Sequence, residues 1–326
     1  MKESYERKIG QLLQQCIEGF RVNVLVIYDN STVDLLDAFK NALLYIGKCP
    51  NFIQINNADC HGQEPPVFVA EKMLTSDVVV CVTKYSLAHT AARKNAEKKG
   101  IPFLSMPDYS VDILSNSAYG VKYASRYSTV KYYTDILTNG KCVKIKSELG
   151  TDLMMDIEGR TGNCCPGLTN TEILLGSPPD IEANIAPVEN RTNGVIVIDG
   201  SITDRRIGIL SQPVYLNILN GRIVSIKSDD CSVLECIEEI FRDIGNDRAL
   251  IVGELGIGFN DKANLCGNML IDEGTQGCIH FGMGSNWTIG GDNMVNFHLD
   301  FVMRNASVFV DDRQIIDKGN LLYEQL

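Results

Sequence analysis

Glu254 follows Gly253, Asp272 and Glu273 stand side by side, and His280, His298 and Asp300 complete a set of acids and imidazoles gathered in one glycine-rich stretch. Two of the chain's four histidines lie in it. Neutral imidazole and carboxylate are the ligands that hold a catalytic divalent cation, and glycines let backbone and substrate come close to it. Side chains in a strand alternate faces, so in Asn296-Phe-His-Leu-Asp-Phe-Val302 His298 and Asp300 point to one side and Phe297, Leu299 and Phe301 to the other. Cys278-Ile-His-Phe-Gly-Met283 repeats the design, with Cys278, His280 and Gly282 sharing a face. In Leu250-Ile-Val-Gly-Glu-Leu-Gly256 a carboxylate again interrupts an apolar strand, and Glu273 lies in a loop seven positions before His280. Taken singly, each is an ordinary polar residue with a local partner. Together they predict a metal site, because burying several carboxylates in one place is costly unless a cation neutralises them.

The elements that must position these residues change character along the chain. The first third alternates helical and extended patterns: a helix near 3–19 with Ile9, Leu12, Leu13, Cys16 and Ile17 on one face, then the apolar run Val22 to Tyr28. Helical patterns follow at Val33 to Ile46, Pro66 to Leu74 and Leu87 to Lys99, with extended segments at Phe52 to Ile55, Asp77 to Thr83 and Pro102 to Ser105. Such repetition implies a parallel sheet covered on both faces. Beyond about Ser128 the texture becomes short strands and turns, including a hairpin from Val214 to Ile226 turned by Asn220-Gly221. One long helix is expected there, opening with the capping box Ser232 to Glu235 and ending at Gly245, and Ser177 to Asn193 reads as a long loop. The expectation is an α/β domain with a parallel sheet over 1–128, followed by a strand-rich α+β metal-binding domain over 129–326.

Composition narrows the function classes. At 326 residues the chain exceeds the roughly 250 to 300 at which one core stops growing, so two domains are expected. With 44% hydrophobic and 22% charged residues it reads as an ordinary soluble protein, and no apolar run approaches the roughly 20 residues that span a bilayer. The charged opening reads as helix rather than a secretory signal, which predicts a cytoplasmic protein with no membrane partner. Its eleven cysteines fall in no Cys-x-x-Cys pairs and read as reduced thiols. A net charge of -11 and a pI near 4.9 argue against nucleic acid. No Gly-x-Ser-x-Gly elbow, Walker loop, dinucleotide fingerprint or His-Glu-x-x-His helix is present.

The order of the acids and imidazoles resembles the thermophilic metallo-aminopeptidases of the aminopeptidase T and S type. That pattern has a Gly-Glu at a strand end, an Asp-Glu followed by His and a glycine-rich turn, and a final His-x-Asp; here these are Gly253-Glu254, Asp272-Glu273 with His280, and His298-Leu-Asp300. Pro179-Asp-Ile-Glu-Ala-Asn-Ile-Ala-Pro187 looks like the family's upstream Pro-to-Pro loop and nominates Glu182. The similarity extends from about residue 20 to the end. It implies Glu182, Glu254, Glu273, His280, His298 and Asp300 as ligands of two divalent ions (zinc, cobalt or manganese), with Glu254 as the proton shuttle. It also implies a homodimer that hydrolyses an amide bond next to a free amino group in a small peptide or amino-acid-derived substrate, by a metal-activated water.

Two features depart from the peptidase pattern. The spacing from Glu273 to His280 is two residues longer, and Trp287 stands where the peptidases carry a tyrosine; an indole can neither ligate a metal nor act as a phenolic acid. A second branch that the chain resembles, the dihydroxypyridine ring-opening dioxygenases, binds a single Fe(II). For that branch His280, His298 and Asp300 would form a set of two histidines and one carboxylate, and the reaction would be opening of a hydroxylated N-heteroaromatic ring. The alternatives are thus a metallo-hydrolase and a non-haem iron dioxygenase.

Overall fold

A computed structural model describes residues 2–322 and divides the chain into two compact units. One holds the residues up to Tyr127 together with Cys165–Pro179; the other holds Ser128–Cys164 and the residues from Asp180 onward.

In the first unit, α1 (Lys2–Cys16) precedes the alternating series β1 (Asn23–Tyr28), α2 (Leu36–Tyr45), β2 (Cys49–Gln54), α3 (Val67–Met73), β3 (Val78–Val82), α4 (Ala91–Lys98) and β4 (Phe103–Ser105). A fifth strand from much later in the chain, β8 (Leu175–Gly176), adds beside β4, giving the order β2-β1-β3-β4-β8 with every pairing parallel. Val78 to Val82 are all at most 1% exposed, as expected for a central parallel strand covered on both faces. The apolar face read from the sequence of α1 is the buried one: Ile9, Leu12, Leu13 and Cys16 are at most 2% exposed. The parallel α/β architecture expected for this part of the chain is what the structure shows.

The second unit is built on antiparallel strands. It comprises α5 (Tyr127–Asn139), β5 (Cys142–Lys146), β6 (Asp152–Asp156), β7 (Asn163–Cys165), β9 (Glu182–Ile185), β10 (Thr192–Ile198), β11 (Ser201–Ile202), β12 (Gly208–Ile209), β13 (Val214–Leu219) and β14 (Arg222–Ser228). Then follow α6 (Cys231–Ile244), β15 (Val252–Gly258), α7 (Met269–Asp272), β16 (Cys278–Gly284), β17 (His298–Arg304), β18 (Ser307–Val310), β19 (Arg313–Asp317) and β20 (Asn320–Leu321). These strands form two sheets, β14-β13-β10-β6-β5-β18-β19-β20 and β12-β11-β17-β16-β15-β9-β7. The Asn220-Gly221 turn closes the β13–β14 hairpin with φ of 49° and 74°, the left-handed conformation that this dipeptide tolerates.

Three local expectations change. The start of α6 is capped by Asp230, which accepts from the backbone N–H of Ser232 and Val233, so the predicted Ser232 capping box lies inside the helix. Its end stands as expected, with Gly245 in the left-handed conformation at φ 58°. A second long helix, α5, is present in this part of the chain. Within Ser177 to Asn193, read as loop, the alternation Glu182-Ala-Asn-Ile185 makes β9, a strand buried at every position. Pro178 and Pro179 before it and Pro187 after it mask that alternation.

Candidate metal centre

The second sheet places its polar residues on one face by register alone. Antiparallel pairing sets Gly258 opposite Glu182 and Gly256 opposite Asn184, then Glu254 opposite Gly282 and Gly256 opposite His280, then Gly282 opposite Asp300 and Gly284 opposite His298. Side chains of directly opposed residues share a face, so Glu182, Glu254, His280, His298 and Asp300 converge on one side of four adjacent strands. The intervening Ala183, Leu255, Ile257, Ile279, Phe281 and Phe301 are at most 1% exposed on the other side. This is the alternation predicted for β16 and β17, extended to β15 and β9.

Glycine supplies the room. A β-carbon on Gly256 would lie 2.0 Å from Cε1 of His280, and one on Gly282 would lie 2.6 Å from Cε1 of His298 and 2.9 Å from Cβ of Glu254. Each imidazole therefore lies over a glycine of the neighbouring strand, in space that any side chain there would fill.

Those atoms form two overlapping sets. Glu182 Oε2 is 3.1 Å from His280 Nε2, and Glu254 Oε1 is 4.0 Å from the same nitrogen. Glu254 Oε2 is 3.2 Å from His298 Nε2, which is 3.1 Å from Asp300 Oδ1. Within each trio, Glu182–Glu254–His280 and Glu254–His298–Asp300, one ligand atom per residue lies within 4.8 Å of the others. Glu254 belongs to both, and the two histidines fall in different sets, so the His280–His298–Asp300 set expected for a single iron does not assemble as one trio and Glu254 takes the place of His280 beside His298 and Asp300. His298 Nδ1 is 3.0 Å from the Ser285 carbonyl, which can only accept, so Nδ1 carries the proton and Nε2 turns toward the carboxylates. The side chains of Glu182, Glu254, His280 and Asp300 are 2–9% exposed, whereas His298 is 21% exposed and marks the open side.

Glu273 and Asp272, adjacent in sequence, separate in role. Asp272 is fully buried and accepts from Ser201 Oγ at 2.6 Å, Cys266 N at 2.7 Å and Gly267 N at 2.9 Å; these bonds fasten the end of α7. Glu273 instead hydrogen-bonds Asp300, yet it lies outside both tight trios. Asp180, which no sequence motif singled out, is a further carboxylate of the centre: it is 4% exposed and is pushed toward its protonated form by burial and by Glu182, Glu254 and Asp300. Its spacing of two from Glu182, the same as that of His298 and Asp300, is the signal that could have found it.

The electrostatics are those of acids crowded in a dry place. Burial, then Asp300, Glu182 and Asp180, raise Glu273 well above the usual carboxylate range, and burial and Glu182 raise Glu254 against the pull of the two imidazoles. Burial opposes charging His280, but Glu182, Asp300 and Glu254 outweigh it and push the ring up to about 9. Burial likewise opposes charging His298, but Asp300 and Glu254 hold it well above its ordinary value. Asp300 is shifted down: burial would raise it, but the facing His298 prevails. Asp180 Oδ1, Glu182 Oε2, Glu273 Oε1 and His280 Nδ1 are buried without a hydrogen-bond partner among the described residues, the approach of Glu182 Oε2 to His280 Nε2 being an ion-pair contact. Carboxylate oxygens and imidazole nitrogens converging above Gly256 and Gly282, with unpaired oxygens left over, fit a divalent cation.

The same arrangement of elements is found in solved structures. The 2,5-dihydroxypyridine dioxygenase from Pseudomonas putida KT2440 superposes with a TM-score of 0.85 at 15% identity, over 100% of this chain and 99% of that one. Wild-type AmpT from Thermus thermophilus superposes with a TM-score of 0.69 at 14% identity, over 99% of this chain and 100% of that one. At these identities the likeness is one of fold, and it covers both branches that the sequence resembles. A search of curated proteins gives no match. The model of the family described as NicX: 2,5-dihydroxypyridine 5,6-dioxygenase matches residues 51–323, which is most of the chain, and the protein belongs to that family.

Proposed function

We propose that this protein is a metal-dependent dioxygenase that opens a hydroxylated N-heteroaromatic ring, using Fe(II) held by Glu254, His298 and Asp300. The observation that carries the reading is membership of the NicX family, with a buried carboxylate–imidazole centre on one face of its strand-rich unit. This favours the oxygenase alternative over the hydrolase that the order of acids and imidazoles first suggests.

When bound, the iron supplies the one-electron chemistry toward dioxygen that no side chain of the centre possesses. The remaining work is done by the protein. His298 is oriented by its Nδ1–H bond to the Ser285 carbonyl, which aims Nε2 at Glu254 and Asp300. Asp300 is held by the Thr203 hydroxyl, 3.2 Å from its backbone N–H, and by the carboxyl of Glu273. Glu182 and His280, 3.1 Å apart, form an acid–base pair that can hold a proton at Oε2 or Nε2 as a substrate hydroxyl is deprotonated. The apolar backing of β15 to β17 keeps water from the inner side.

Oxygen uptake tests the reading. Protein loaded anaerobically with Fe(II) should consume dioxygen in proportion to added 2,5-dihydroxypyridine or a related hydroxypyridine, with loss of the ring absorbance. No uptake with any hydroxylated pyridine, from protein shown to carry iron, would refute it. The hydrolase reading has one specific observation in its favour, the sharing of Glu254 between two trios, which suits two ions. Under it Glu254 shuttles the proton, and aminoacyl anilides should be cleaved with zinc, cobalt or manganese.

A further inference from the structure

The functional reading leaves two amides unassigned, the buried Asn184 and the half-buried Asn163. Asn184 is 4% exposed in β9, two positions after Glu182 and on the same face, opposite Gly256. Its Nδ2 donates to Glu182 Oε1 at 2.6 Å. Its Oδ1 accepts from Nδ2 of Asn163, in β7, at 2.9 Å, and the same Asn163 nitrogen donates to the Ile289 carbonyl at 3.2 Å. The result is a continuous path from Glu182 to the helical turn Trp287–Ile289.

The polarity of this path is forced. The carboxylate of Glu182 accepts at one end and the carbonyl of Ile289 accepts at the other. Asn184 must therefore turn its NH2 to Glu182, which leaves its oxygen for Asn163, and Asn163 must present its NH2 to both Asn184 and Ile289. A flip of either amide would set oxygen against oxygen at 2.6–3.2 Å. With Oε1 occupied by the amide, Oε2 is the oxygen that Glu182 turns to His280.

We propose that Asn184 and Asn163 are positioning residues: together they select which oxygen of Glu182 faces the metal centre and tether the Trp287 turn to that same carboxylate. The inference rests on the metal reading above, extended to the Glu182–Glu254–His280 trio as a second place for a cation, and adds a connection between the centre and the one turn that carries an aromatic side chain absent from the peptidase pattern. Partners that orient a metal-binding group typically change affinity 10–100-fold when removed. A cation that draws on Glu182 thus also acts, through two amides, on the turn holding Trp287.

Trp287 is the sole tryptophan, so its fluorescence reports on that turn alone. The experiment titrates Mn(II) into the metal-free full-length protein, reading free Mn(II) by electron paramagnetic resonance and Trp287 emission in parallel. The expected result is binding weakened about 10–100-fold in Asn184→Leu. In Asn163→Leu, which keeps Asn184 but releases it and the turn, the Mn(II)-induced change in emission should be lost. A folded N184L that binds Mn(II) as the wild type does overturns the inference. Should N184L not fold, N163L decides: unchanged affinity together with an unchanged emission response overturns it. Wild-type protein that binds no Mn(II) overturns the metal reading itself, whereas wild-type binding with unaffected variants overturns only the amide path.

Discussion

Gly256 and His280 face each other across β15 and β16, and the imidazole fills the space that a side chain on Gly256 would need: a β-carbon there would be 2.0 Å from Cε1 and 2.2 Å from Nε2. The ring has nowhere to retreat, because its side chain is 2% exposed and its Nε2 is engaged by Glu182. Gly256→Ala should therefore cost about 1–3 kcal/mol, the range for overpacking, and lower metal affinity at the same time. Gly19 is the control, since a β-carbon added there would meet nothing within 4 Å. Gly19→Ala should stay within about 0.5 kcal/mol. Urea unfolding in chelator, followed by Mn(II) titration, measures both; equal behaviour of the two variants would show that the space over Gly256 plays no part.

Glu254 and Glu273 look like equivalent ligands in the sequence, but the structure separates them. Glu254 is common to both trios and Glu273 belongs to neither. Glu254→Gln should weaken divalent-metal binding by roughly 100-fold or more, since it removes a charge from both sets, while Glu273→Gln, whose amide can still donate to Asp300, should stay within about tenfold. Calorimetric titration of the two variants distinguishes them. A larger loss for E273Q than for E254Q would reverse the assignment.

Stability should depend on the cation. A ligand that binds only the folded state adds about 2.7 kcal/mol at a hundred times its dissociation constant. Chelator-treated protein should accordingly melt several degrees below protein supplied with Fe(II) or Mn(II), and the gap should close in E254Q. Identical melting curves for wild type with and without metal would contradict this.

Glu189, a member of neither trio, gives a pH dependence of its own. Its Oε1 accepts from Asn286 Nδ2 at 2.9 Å and from Asp292 N at 2.6 Å, and its Oε2 accepts from Arg160 Nη2 at 2.6 Å. Burial would raise this carboxyl, but the bonds from Asp292 and Asn286 and the charge of Arg160 outweigh burial and hold it below its ordinary value. A folded-state value below the unfolded one, about 4.3, means stability present above that pH and lost as pH falls through the lowered value. Glu189→Gln should cost roughly 1.5–3 kcal/mol at neutral pH and flatten the acid limb of the melting profile. An acid limb as steep as the wild type's would count against the network.

What could be read from the sequence was whatever depends on alternation within one strand. His298 with Asp300, and His280 against Ile279 and Phe281, declare their faces by spacing alone, and the parallel sheet declares itself by the fully apolar Val78 to Val82. What could not be read depends on register between strands. That Gly256 faces His280, that Glu254 is shared, and that Asn163 of β7 meets Asn184 of β9 follow from pairings formed between strands. Asp180 and β9 were hidden for a simpler reason, since Pro178, Pro179 and Pro187 give a short polar–apolar alternation the look of a loop.

The central claim is that one sheet face gathers its acids and imidazoles around a cation, and anomalous diffraction at the iron edge tests it most directly. Crystals grown anaerobically with Fe(II) should show a peak bounded by Glu254, His298 and Asp300, absent in crystals of E254Q. Iron-soaked crystals without a peak at that face, or with one only elsewhere, would contradict it.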